Sequence, residues 1–205
     1  MTMLRRLVLV RHGETDGQSS VRYYGSTDVD LSAEGRAHMR DVAGRLSSWP
    51  TDIVVASPLK RSWKSASIVG RGAQVRLYRE FREVDFGRWE GFTADEIRDT
   101  DPTRFAEWQQ AAADFTYPSG EARPDFKRRV LEGLEQLLEE RATSALLVLH
   151  KGVIRVIAEE LLGEALPEGA PALGGVLSIS RRDDGSWSEG SASSNPAALS
   201  DLDAA

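Results

Sequence analysis

The feature that most limits what this chain can become is Leu7-Val8-Leu9-Val10-Arg11-His12-Gly13, an apolar run that stops abruptly at a cation, an imidazole and a glycine. Four consecutive Leu and Val residues ended by a glycine read as a buried strand that delivers its last residues to a sheet edge. In open α/β sheets that edge is where ligands bind. Arg11 supplies a permanent forked charge suited to phosphate. His12 can act as a nucleophile at neutral pH, because an unperturbed imidazole titrates near ~6.5.

The rest of the chain fits a sheet of that kind. Apolar runs at 7–10, 53–56, 75–77, 146–149 and 176–180 alternate with helical patterns. That alternation predicts an α/β fold of three layers, α/β/α, with a mainly parallel central sheet. A helix over 33–47 is expected to start at a Ser32 cap, with Glu34 at its positive end. Thr93-Ala94-Asp95-Glu96 has the spacing of a capping box, and Asp101-Pro102 pairs a cap with proline at the first helical position. Both fall in a small helical insert at about 92–120. Over 125–140, Phe126, Val130, Leu134, Leu137 and Leu138 make one apolar stripe, whereas 153–162 is apolar nearly all round and should pack deeply.

A chain of 205 residues fits one domain, here 1–185. Serine, alanine, glycine and acidic residues dominate 186–205, which is expected to give a short edge segment and then a mobile tail. A net charge of -6 argues against a nucleic-acid partner. No apolar run approaches the ~18 residues of a membrane span, and the N-terminal run is too short for a signal peptide. Cysteine is absent, which permits a reducing compartment. A soluble cytoplasmic protein, monomer or homodimer, is the expectation.

Further strings follow the Arg11-His12-Gly13 motif in order: Gly25-Ser26-Thr27-Asp28 with Glu34-Gly35, Ser57-Pro58-Leu59-Lys60-Arg61, Glu83-Val84-Asp85-Phe86-Gly87-Arg88-Trp89-Glu90-Gly91, Gly120-Glu121, and Leu147-Val148-Leu149-His150. With these matches the chain resembles the histidine phosphatase superfamily, also called phosphoglycerate mutase-like, from about residue 7 to 162. The resemblance implies that fold and a phosphohistidine on His12. It also implies phosphate binding by Arg11, Arg61 and His150, a protonated His150 adding a further charged donor, and Glu83 as general acid and base. Asp85, two residues on, competes for the acid's role, but Glu83 matches the family loop in standing four positions before Gly87. Read without the resemblance, Arg61 is also a solvated helix residue, Glu83 a surface partner of Arg82 or Arg88, and His150 a satisfied core residue. His38, in a polar helical stretch, has no role assigned.

Three departures and carry-overs complete the site. Gln18 stands where many members have asparagine and can still donate to phosphate. Tyr24 and Gly25 occupy the place where relatives approach the substrate by backbone. Lys151 follows His150 where a small residue is frequent, and is either solvated or a cation for a second acidic group on the substrate. No cofactor and no metal are implied, because the histidines are placed for phosphate and the carboxylates lack a spacing such as His-Glu-x-x-His. The expected partner is a small-molecule phosphomonoester. A hydrolase is favoured over a phosphoglycerate mutase-type transferase by the short chain and by the Asp-Phe-Gly-x-Trp-Glu-Gly string, which is similar to phosphatases of the α-ribazole phosphate type and their broad relatives. A non-catalytic phosphate-binding module is the remaining alternative.

Overall fold

The computed structural model describes residues 3–110 and 113–190 of the 205-residue chain. The elements run β1 (Arg6–Arg11), α1 (Ala33–Arg45), β2 (Ile53–Ala56), α2 (Lys60–Val69), β3 (Val75–Leu77), α3 (Ala94–Thr100), α4 (Pro102–Gln110), α5 (Arg123–Leu138), β4 (Ser144–Leu149), α6 (Lys151–Leu162), β5 (Val176–Arg181) and β6 (Trp187–Glu189). Successive strand side chains point to opposite faces of a sheet. Leu7 and Leu9 of β1 accordingly enter one apolar cluster, and Val8 and Val10 enter the other. Val55 and Val54 divide β2 in the same way, as Leu147 and Leu146 divide β4.

Helices cover both clusters, so the layers are α/β/α. Met39 and Val42 of α1, with Ala66 and Val69 of α2, close one face. Phe126, Val130 and Leu134 of α5, with Val153, Ile154 and Ile157 of α6, close the other. The strand order is β3-β2-β4-β1-β5-β6. β3, β2, β4 and β1 run parallel to one another, while β5 pairs antiparallel with both β1 and β6. The chain leaves β1 for one face and β4 for the other, and these two strands are neighbours. Adjacent strands feeding opposite faces open a crevice at their carboxyl ends, where ligands bind in such sheets.

The element ends differ from expectation in instructive places. The Thr93 capping box is present, with Thr93 Oγ1 accepting from Glu96 N (3.2 Å) and Glu96 Oε2 accepting from Thr93 N (2.9 Å). α5 starts at Arg123, two positions before 125, because Pro124 is tolerated in a first helical turn. α2 carries no apolar stripe to announce it, since its buried face includes Arg61, Ser62 and Ser65. β6 lies within 186–205, and the expected tail over 191–205 falls outside the described residues.

Candidate active site

β1 delivers Arg11 and His12 to the crevice, and His12 N donates to Leu149 O (3.0 Å), fastening the strand end to β4. The His12 ring is 4% exposed, with Nδ1 2.8 Å from Gly13 O. A carbonyl only accepts, so Nδ1 carries the hydrogen and Nε2 keeps its lone pair. Burial, then the Arg61 and Arg11 charges, hold its pKa well below the usual imidazole range. An uncharged imidazole with an available lone pair is the nucleophilic form.

Arg61, on the first turn of α2, is fully buried, which removes the solvated-helix reading. Its Nη1 donates to Thr27 O (2.8 Å) and its Nη2 to Tyr24 O (3.0 Å) and Gly25 O (2.7 Å), leaving Nε without a partner. Arg11 is held similarly: Nη1 donates to Pro171 O (3.0 Å), and Nε is buried and unpartnered. His150 occupies the N-cap position of α6 without a side-chain capping bond, its ring 5.2 Å from that of His12 and its Nδ1 likewise buried without a partner. Burial, followed by the Arg61 charge, pushes its pKa well below the usual range, against the charged donor expected from sequence.

Glu83 is buried (8% exposed), with Oε1 accepting from Val84 N (3.0 Å) and Oε2 from Gly152 N (3.0 Å) in the first turn of α6. Gly152 leaves this carboxylate its place, because a Cβ would lie 2.4 Å from Glu83 Oε1 and displace it. Behind the loop, Arg129 of α5 donates to the carbonyls of Glu80 (2.7 Å), Arg82 (2.7 Å) and Glu83 (3.3 Å) and pairs with both carboxylate oxygens of Glu121. The competing acid Asp85 is turned into its own loop, where Oδ1 accepts from Ser26 Oγ and Gly87 N (both 2.9 Å).

Sequence reasoning missed Glu90. Its carboxylate accepts from Gly25 N, Ser26 N, Thr27 N and Phe86 N at 2.9 to 3.2 Å. The 24–27 loop is therefore gripped through its carbonyls by Arg61 and through its amides by Glu90. Tyr24 and Gly25 spend their backbone groups on this grip, so both act on Arg61 first. Gly25 is forced, a Cβ lying 1.7 Å from Val84 O.

Arg11, His12, Tyr24, Glu83 and Lys151 line one cavity of about 840 Å³, with Tyr23, Phe86, Trp108 and Tyr117 among its walls. Arg61 and His150 are not among its walls; the His150 ring lies 5.2 Å from that of His12, and the Arg61 charge acts on His12. Gln18 is exposed at φ 62° and lines a different groove with Glu14, Asp16 and Glu34. Lys151 is half-buried; burial, then the Arg11 and Arg155 charges, lower its pKa. His38 packs its ring against Gly174, away from the cavity.

The two buried imidazoles make stability depend on pH. Their folded pKa values lie below the unfolded value, so their contribution is fully present above pH ~6.5 and is lost as pH falls from there towards the folded values. Urea unfolding should show lower stability at about pH 5.5 than at about pH 7.5, by up to roughly 1 kcal/mol for each histidine over the whole interval. Equal stability at the two values would contradict it.

A parallel-edge crevice holding an acceptor imidazole among cationic donors is the architecture of a phosphatase-class protein. The model of the histidine phosphatase superfamily (branch 1) matches residues 7–188, and the chain belongs to that superfamily. It is similar to phosphoserine phosphatase 1 of Hydrogenobacter thermophilus, 29% identical over 161 residues that cover 77% of this chain and 76% of that protein. Similarity to the glucosyl-3-phosphoglycerate phosphatase of Mycobacterium tuberculosis is 32% identity over 200 residues, 91% of this chain and 88% of that one. Among solved structures, the α-ribazole phosphatase of Shigella flexneri superposes with a TM-score of 0.79 at 25% identity, covering 90% of this chain and 94% of that chain. The chain is a phosphatase of this superfamily.

Proposed function

We propose that the protein hydrolyses phosphomonoesters of small metabolites through a phosphohistidine on His12, with Glu83 as general acid and then general base. The supporting observation is a set of three buried nitrogens without partners, Arg11 Nε, Arg61 Nε and His150 Nδ1, on the residues whose charges or ring act on His12. A buried donor left unsatisfied costs about 1 to 3 kcal/mol, and a phosphoryl group supplies the missing oxygens.

His12 Nε2 attacks phosphorus and the bond to the leaving oxygen breaks, while protonated Glu83 gives that oxygen its proton. Water then attacks the phosphorus, Glu83 takes its proton, and the bond to Nε2 breaks to release phosphate. Arg11 and Arg61 stay charged despite burial and offset the charge spread over the equatorial oxygens, so no metal is needed in this scheme. Release of phosphate from an aryl phosphate should therefore persist in chelator, and activity on phosphoglycerate isomerisation should be negligible.

Glu83→Gln should lower turnover by about 10² to 10⁴-fold while retaining vanadate binding, read by phosphate release and by calorimetry. Turnover like that of the wild type would assign the proton transfer elsewhere. Lys151 faces the same cavity and suits a second acidic group on the alcohol. The aromatic walls and the volume leave room for an organic leaving group such as those handled by the serine, glycosyl-glycerate and ribazole phosphatases among its relatives.

A further inference from the structure

We infer that Ser57 is a positioning residue that locks His150 in the tautomer whose Nδ1–H faces the bound phosphoryl group. The inference rests on the phosphohistidine reading above. Ser57 follows β2 and is fully buried, and its Oγ lies 2.8 Å from His150 Nε2. The same Oγ accepts from Leu59 N (3.1 Å) in the turn leading into α2. A hydroxyl has one hydrogen. If Nε2 carried the imidazole proton, Oγ would accept twice, and no third group contacts Ser57 Oγ among the described residues to take its hydrogen. With Ser57 O–H donating to Nε2, the hydroxyl hydrogen and the Nε2 lone pair satisfy each other, and Nδ1 alone is left open. Nδ1 then holds the hydrogen of the neutral ring, and it is this atom that is buried without a partner.

The consequence for catalysis follows from charge. His150 is surrounded by cationic or basic groups on every side that acts on it: Arg61 from α2, Arg11 and His12 from the end of β1, and Arg129 from α5. Burial first, and then that company, favour the neutral ring in the free protein, which can donate to phosphate only in the right tautomer. The other tautomer would aim a lone pair at phosphate oxygens. Ser57 itself is held by its backbone, Ser57 N donating to Ser62 Oγ (2.9 Å), while Ser62 Oγ donates to Val148 O (2.6 Å) beside His150. The lock is thus anchored to the strand that carries its target.

The direct test is nitrogen-15 NMR of the intact, histidine-labelled protein, in which only three histidines contribute signals. His150 should give the neutral Nδ1–H pattern at about pH 7.5, and an Nε2–H pattern would overturn the inference. Kinetics supply the second arm. In Ser57→Ala, kcat on an aryl phosphate should fall on the order of tenfold or more near neutrality, and the loss should shrink at acid pH, where a doubly protonated ring needs no tautomer lock. Ser57→Thr should restore the wild-type profile. A fall in Ser57→Ala that is uniform across pH means that Ser57 only caps the turn at Leu59, and overturns the lock. Failure of the phosphohistidine reading looks different: His12 variants would then remain active, whatever the state of His150.

Discussion

Replacing His12 by asparagine is expected to reduce phosphate release from an aryl phosphate to the level of protein-free buffer, a loss on the order of a millionfold in kcat. Asparagine fills similar space and can still hydrogen-bond near Gly13, so the fold should survive. What it lacks is an aromatic nitrogen lone pair. Among the described residues the only other histidine beside His12 is His150, whose Nε2 is occupied by Ser57 and whose Nδ1 carries the hydrogen in the tautomer inferred above. Intact-mass analysis of an acid-quenched turnover mixture supplies the positive counterpart: the wild type should gain the mass of one phosphoryl group and His12→Asn should not. Residual activity above background in a well-folded His12→Asn would remove this histidine from the covalent step.

Arg61→Lys carries the second largest expected effect, and it acts on activity and stability together. The guanidinium reaches three carbonyls of the 24–27 loop and retains a buried Nε for the substrate. A lysine ammonium is one compact point with three donors and cannot span that set. Removing one preorganised donor of this kind typically costs about 10² to 10³ in turnover. Leaving buried carbonyls and nearby carboxylates uncompensated should also lower unfolding stability by about 3 kcal/mol. Phosphate release and thermal denaturation would read both. Wild-type values in either would mean that Arg61 serves only the other role.

How much of this was legible in the chain depends on the range of the interaction. The sheet could be read because each strand announces itself locally: Leu7 to Val10 are all fully buried, as an uninterrupted apolar run implies. The positions of Arg11, His12, Arg61, Glu83 and His150 emerged from ordered strings, and the fold brings them together. What stayed hidden are bonds between side chains and distant backbone. Glu90 grips amides 63 to 65 positions away, and Arg129 sits in the run Lys127-Arg128-Arg129, which reads as a solvated helix face. Such partners depend on the path of loops, which periodicity does not encode. Gln18 shows the same limit from the other side. Its spacing suggests phosphate, but its left-handed backbone turns it out of the cavity.

The place of β4 in the sheet has one more consequence. It is the fourth strand made, yet it lies between the first two, with Val8 and Val54 both opposite Leu146. Until β4 is made, β1 and β2, which carry His12 and lead to Ser57 and Arg61, lack the strand that lies between them in the sheet. The assembled site therefore requires a segment from the last third of the polypeptide. Pairings so remote along the chain form slowly.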